Sequence, residues 1–468
     1  MRCRTMVGRL LNELVTIAKT SKTDFALHMN MTPSGLSKIL TEKRLPMLKE
    51  KWEFCNQAAN YFSQHIYARN CYLKLQSVFP IVYDFDSRHE LEQFLCTAIE
   101  YALNCDFAAD NKAPSNYYDK GPYYMGDKMI LNILCILISD EMVNKPDNEK
   151  FIFYSSFFNY DMYYDEIFKR IQSSCPEKMR NVVINYLVDL SQFDTLAVHQ
   201  FDILSNITRI QEYAQMNLWE IKKQIDNPFI LLKGKFLVYF TTQIDGTMFM
   251  QLINHKSYLT IFHNTLLNGN INKLSYTSEE AIKYLEQHPS FVDELTDSGI
   301  NAIYNFLCMG YLVRDDDINR KENRVTLNKQ MQKLFKQFLS DKSDFYVSTY
   351  AMTEFYTQGK TIVPLSGEIR IPLESRITFL KRFNKYITSN SHKKLKIITN
   401  DFPPVTILFT GSYTIIYTYN STDKLEKLHV FTTRKMYDII YNQIQYKIKN
   451  MIDLNYELWD TYINDLTK

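Results

Sequence analysis

The stretch from Lys22 to Pro46, KTDFALHMNMTPSGLSKILTEKRLP, constrains this chain more than any other, because its residue types specify two short helices and the turn between them. Apolar residues at three- and four-residue steps share one helical face. Such spacing predicts a preceding helix buried through Val7, Leu10, Leu11, Leu14, Ile17 and Ala18. Thr23 is read as the cap of a second helix in which Phe25, Ala26 and Met29 face inward, the small Ala26 admitting the next helix closely. Asn30 supplies the turn, since few residues other than glycine tolerate the left-handed backbone that ends one helix and redirects the chain. Thr32 caps a third helix, and Pro33 suits its first position. Leu36, Ile39 and Leu40 then pack inward and leave Ser34, Gly35, Ser37, Lys38 and Thr41 outside. A fourth helix from about Met47 is expected to bury Leu48, Trp52, Cys55, Ala59 and Phe62, closing a small all-helical domain by about residue 68.

Within this segment TDFALHMNMTPSGLSKILTEKRLP resembles the helix-turn-helix of the Cro and phage repressor family, often called the Xre family, over roughly residues 8 to 68. The likeness rests on the alanine of the second helix, the polar turn, the threonine cap and the Ser-x-Ile-Leu-x-x-Lys-Arg-x-Pro ending. Asn30 stands where that family usually has glycine, and Leu27 where an acidic or polar residue is common. The resemblance implies a lambda-repressor-like fold and a bacterial transcription regulator that binds double-stranded DNA as a homodimer on a two-fold symmetric operator. It implies nothing about residues 69 to 468. On this reading Ser34, Gly35, Ser37 and Lys38 meet base edges in the major groove, with small side chains near the helix start letting the backbone come close. Thr32 holds the start of that helix, and Lys22, Lys43 and Arg44 suit phosphates.

Charge gives a separate line of argument, since neutralising phosphates needs a local excess of lysine and arginine whatever the total. Residues 1 to 51 carry ten basic side chains (Arg2, Arg4, Arg9, Lys19, Lys22, Lys38, Lys43, Arg44, Lys49, Lys51) against four acidic ones (Glu13, Asp24, Glu42, Glu50), a net of +6. With +2 for the whole chain, the remainder carries −4. Basicity is therefore concentrated on the segment with the turn. A solvated basic face, as small helical domains often have, is the plainer reading of the same residues.

Other chemistries find little support. Eight cysteines (Cys3, Cys55, Cys71, Cys96, Cys105, Cys135, Cys175, Cys308) form no C-x-x-C pair, and Cys55 and Cys96 lie on apolar helical faces, so buried free thiols are expected in place of zinc or a disulfide framework. There is no glycine-rich phosphate loop, no H-E-x-x-H and no G-x-S-x-G, and His255 and His263, read as flanking a strand, offer no shared face for a metal. The expectation is a protein that is not an enzyme and uses no cofactor. No window offers about 18 uncharged apolar residues, so no membrane partner is expected and the location is read as cytoplasmic.

At 468 residues and 46% hydrophobic, the chain has room for several packed cores. The expected class is a multidomain α+β protein: helix-turn-helix at 1–68, a helical connecting region at 69–145, mixed α/β at 146–275, a helical segment at 276–345 and an α/β domain at 346–468. Amphipathic helices are expected at Ser87 to Asn104, burying Leu91, Phe94, Leu95, Ala98 and Leu103, and at Asp127 to Met142, with another at Asp161 to Gln172. Two stretches share a layout: Phe236 to Leu267 reads strand, Asp245-Gly246 turn, strand, helix, and Val405 to Lys449 reads strand, Gly411-Ser412 turn, strand, strand, helix. Residues 278 to 328 invite a winged-helix reading, from helices at Glu279 to Gln287 and Ser298 to Met309 and a wing holding Arg314, Arg320, Lys321 and Arg324. A hairpin with a charged, solvated tip fits better, because Asp315, Asp316 and Asp317 would repel phosphate. Arg376, Lys381, Arg382, Lys385, Lys393, Lys394 and Lys396 suit either a wider DNA footprint or a solvated face. The large remainder is read as a region that senses a small-molecule or peptide effector or dimerises. Two alternatives stand beside the regulator: an interaction protein docking another protein through the helical domain, and an effector of a mobile-element or phage-defence system with an autoregulatory N-terminus.

Overall fold

In the computed structural model the described residues are 6–81, 85–110, 123–144, 149–156, 181–189, 203–221, 227–268, 271–307, 329–340, 344–388, 395–398, 402–420, 424–449 and 452–453, with a few single positions besides. They make a mixed α+β protein, helical at the N-terminus and built on two large sheets thereafter. Two compact units divide the chain: Met1–Ile184 with Tyr213–Gln215 and Asp226–Thr265, and Asn185–Glu212 with Met216–Ile225 and Leu266–Lys468.

The first unit opens with α1 (Met6–Ala18), α2 (Lys22–His28), α3 (Pro33–Leu40), α4 (Lys51–Ala68) and α5 (Arg88–Asp110). Every residue of the expected α1 stripe is buried, as are Phe25, Ala26, Met29, Leu36, Ile39 and Leu40. Phe25 anchors α2 to α4, its ring centroid 5.2 Å from Tyr61 and 4.5 Å from Phe62. Helix α5 buries all five residues the periodicity assigned to it and packs on α1 and α4, while Lys51 Nζ of α4 meets Glu100 Oε1 at 2.7 Å.

Next come β1 (Tyr123–Met125), α6 (Asp127–Asn144), β2 (Phe151–Ser155), β3 (Val182–Asp189), α7 (Ile203–Tyr213), β4 (Gln215–Ile221), β5 (Phe229–Leu232), β6 (Phe236–Thr242), β7 (Met248–Ile253), α8 (Lys256–Asn268) and β8 (Ile271–Lys273). The second sheet draws on β9 (Ser275–Thr277), β10 (Ile300–Asn305), β11 (Asp344–Ser348), β14 (Leu395–Ile398), β15 (Val405–Thr410), β16 (Thr414–Asn420), β17 (Leu425–Phe431) and β18 (Ile452–Asp453). Among these lie α9 (Ser278–Gln287), α10 (Phe291–Asp297), α11 (Lys329–Ser340), α12 (Thr349–Gln358), the separate hairpin β12 (Lys360–Val363) and β13 (Gly367–Arg370), α13 (Leu373–Thr388) and α14 (Arg434–Lys447).

The two eight-stranded sheets have the same connectivity. The first runs β1-β7-β6-β5-β2-β3-β4-β8 and the second β9-β17-β16-β15-β10-β11-β14-β18, so strands of equal rank occupy equal places once the β12–β13 hairpin is set aside. In each, an antiparallel meander (β5-β6-β7 and β15-β16-β17) leads into a helix. The shared layout of Phe236 to Leu267 and Val405 to Lys449 is part of this larger repeat. In the second unit α9, α11, α12 and α13 bring Leu285, Leu334, Phe335, Phe355 and Phe379 into one core with Val347 of β11.

Several expectations are corrected. Leu48 is 66% and Trp52 76% exposed, whereas both were expected to be buried; Trp52 shares helical phase with the buried Ala59 and Ile66 but lies in the first turn of α4 and stays in solvent. Ser21, two residues before Thr23, caps α2 by accepting from the Asp24 N–H at 3.0 Å. The helix expected over Ser298 to Met309 is strand β10, held by β11 on one side and β15 on the other. His255 and His263 do not flank a strand: His263 lies within α8, edge-on to Tyr154, and His255 precedes that helix with Nδ1 2.8 Å from Ser257 Oγ. Most of the Asp161 to Gln172 segment, the wing from Asp315 to Arg324, and Lys393 and Lys394 lie outside the described residues. Among the described residues no helix is long and apolar enough to cross a membrane.

Candidate nucleic-acid interface

The turn follows from local chemistry. Asn30 takes φ of 51°, as its side chain permits, and the Met31 N–H donates to Ala26 O at 2.9 Å to close α2. Thr32 Oγ1 accepts from the Gly35 N–H at 3.1 Å, and Pro33 occupies the first turn of α3, where its missing N–H costs nothing. Gly35 is held close to that cap, because a Cβ there would lie 3.1 Å from Thr32 Oγ1. At the other end the Lys38 carbonyl accepts from the N–H groups of Lys43 at 2.8 Å and Arg44 at 3.2 Å, with Glu42 left-handed at φ 67°. That closure fixes where the two cations leave the helix.

Seven of the eight expected site residues, Lys22, the cap Thr32, Ser34, Ser37, Lys38, Lys43 and Arg44, are exposed, while Gly35 is half-buried in the first turn. The outer face of α3 thus carries Ser34, Ser37, Lys38 and Thr41 to solvent, and its inner face is sealed by Leu36, Ile39 and Leu40. Among the described residues the side chains of Lys22, Lys38, Lys43 and Arg44 enter no ion pair or hydrogen bond, so their charges stand available to an anion. Each lies on α2, α3 or the turn just after it, which places the four around one short helix pair.

Residues that position this surface were not apparent from local sequence. Gly8 of α1 lets α3 come so close that a Cβ would sit 2.8 Å from Ile39 O, and Asn12 Nδ2 donates to Leu40 O at 2.9 Å. Asp106 of α5, 5% exposed, accepts from the Met6 N–H at 2.7 Å and the Val7 N–H at 2.8 Å, satisfying the start of α1. Arg69 Nη1 donates to Ala18 O at 2.6 Å and Lys19 O at 2.8 Å, satisfying its end. A glycine inside an apolar helical stripe was the one available signal, since it marks close approach of a neighbouring backbone.

Cys55, Cys71, Cys96, Cys105 and Cys135 form no disulfide; burial pushes the Cys55 thiol up to about 12 and the Cys96 thiol to about 11, away from the reactive thiolate. Cys3, Cys175 and Cys308 fall outside the described residues.

No protein-family model matches the chain, and no curated protein does. Among solved structures, TrmBL2, an archaeal chromatin protein with a novel mode of DNA binding, matches over 47% of this chain and 93% of its own length, at 8% identity and a TM-score of 0.16.

Proposed function

We propose that the chain is a sequence-specific DNA-binding regulator of transcription in which α3 enters the major groove. The observation that carries this reading is the exposed outer face of α3, with four cations unengaged among the described residues. Lys22, Lys43 and Arg44 hold phosphates and set register, while Ser34, Gly35, Ser37 and Lys38 read bases, on a homodimer facing a two-fold site. The two large sheets supply the region that dimerises or takes an effector.

Selection of random duplexes by the full-length protein at two salt concentrations tests this. A recovered consensus whose affinity falls steeply with salt is expected. Lys38→Ala should relax sequence preference at a cost of about 1–3 kcal/mol, whereas Arg44→Ala should weaken all sequences alike and reduce the salt slope by about one. Absence of any selected duplex, or equal loss on every sequence for both variants, overturns the assignment.

A second reading, protein docking through the helical bundle, draws on the exposure of Leu27 at 65%, Leu48 at 66% and Trp52 at 76%. It expects salt-insensitive DNA binding or none, so the same selection separates the two.

A further inference from the structure

A cavity of about 330 Å³ opens on the first sheet, lined by Tyr123 of β1, Tyr239 of β6, Phe249 and Gln251 of β7, Tyr258 of α8, Asn227 and two further uncharged polar side chains. The ladders create it: Gln251 stands opposite Tyr123 on one side and Tyr239 on the other, so three side chains form one row across three strands. Phe249, two residues along β7, adds a third aromatic on the same face. Tyr239 is braced from below, its ring 5.9 Å from Phe262 and its hydroxyl 3.4 Å from that of Tyr258. The carboxamides of Asn227 and Gln251 make no hydrogen bond among the described residues.

The second sheet shows what occupies the equivalent place there. By strand rank, Tyr123, Gln251 and Tyr239 correspond to Ser275, His429 and Ile416, which likewise pair across β9, β17 and β16. That row is filled: His429 is fully buried, with Ser275 Oγ 2.7 Å from Nδ1 and the Gln211 carboxamide of α7 3.0 Å from Nε2. In the first sheet α8 flanks the row at Tyr239 through Tyr258 and Phe262, Gln251 has no such partner among the described residues, and the cavity stays open beside it.

We infer that this cavity is a binding site for an uncharged planar heterocycle of the nucleobase class, taken as free base or nucleoside. The lining selects for it by exclusion and by fit. The lining holds no lysine, arginine or histidine, so a phosphate or carboxylate would be desolvated without a counter-charge. A hydrocarbon would leave the carboxamides of Asn227 and Gln251 without partners. A carboxamide offers donor and acceptor in one plane, matching the edge of a base, while the rings of Tyr123, Tyr239 and Phe249 offer stacking faces. The volume lies at the small end of ligand sites, suiting one ring system with or without a sugar. This inference is independent of the DNA-binding reading.

Calorimetric titration of the full-length protein with the free bases and their nucleosides, beside glucose and toluene as probes of the other chemistries, tests it. Saturable binding of at least one base or nucleoside, with Kd roughly micromolar to millimolar, is expected. Gln251→Leu, which keeps the shape and removes the amide, should weaken that ligand by about tenfold or more without moving the melting temperature. Should Gln251→Leu fail to fold, Tyr123→Ala at the exposed rim should weaken the same ligand through lost stacking. No binding of any base or nucleoside, preference for glucose or toluene, or undiminished binding by a folded variant overturns the assignment, as does tight binding only of the base within a single-stranded oligonucleotide.

Discussion

At the scale of single residues, the outer face of α3 is held in place by close backbone approach more than by the residues that it exposes. Adding one methyl at Gly8 drives it into the Ile39 carbonyl, a backbone atom that cannot swing aside. Gly8→Ala is therefore expected to destabilise the bundle by about 1–3 kcal/mol despite alanine's better helix propensity, read from denaturant midpoints. Trp52→Ala should change stability by no more than about 0.5 kcal/mol, since the ring is 76% exposed. The sequence carried Asn30, Thr32 and the α1 stripe plainly, because each is decided by its own dihedral preference or by spacing of three and four. It misplaced Trp52 because helical phase alone does not say what packs against the first turn of a helix.

Elements show the same divide between local and distant causes. Helices α5 and α6, the β6–β7 hairpin and the β15-β16-β17 meander were readable because a hydrophobic period is written within each, whereas β5 was not read. Strand β10, INAIYN, reads equally as a buried helix, and what decides it is pairing with β11 and β15, whose residues lie some 40 and 100 positions away. Likewise α1 is satisfied at its start by Asp106 and at its end by Arg69, neither within residues 1–68. Asp106→Ala, leaving two buried N–H groups without their acceptor, should cost about 1–3 kcal/mol. By the same logic a fragment of residues 1–110 should melt cooperatively at higher temperature than one of residues 1–68, which lacks both Asp106 and Arg69. Equal melting of the two would remove α5 from the folding unit.

For the whole molecule, the sharpest consequence of burial falls on β17. His429 is pushed down from 6.5 to about 3, first by burial and then by Lys427, so its contribution to stability is whole above pH 6.5 and is lost as pH falls towards 3. Glu426 is raised from 4.5 to about 7 by burial, which outweighs hydrogen bonds from Tyr417 and the backbone of Gly367 and Leu365, so its contribution is whole below pH 4.5 and is lost as pH rises through 7. His429→Gln should flatten the acid limb of melting temperature against pH, and Glu426→Gln the limb between pH 4.5 and 7. Neither residue was marked by the sequence, since burial of a strand's polar side chain is set by whatever lands on it. The tandem order of the two sheets also bears on biosynthesis. Strand β8 ends at Lys273 and β9 begins at Ser275, so a ribosome delivers every strand of the first sheet before the first strand of the second emerges. Vectorial delivery of that kind lets look-alike strands find partners within their own half of the nascent polypeptide, where simultaneous release of all sixteen would invite cross-pairing.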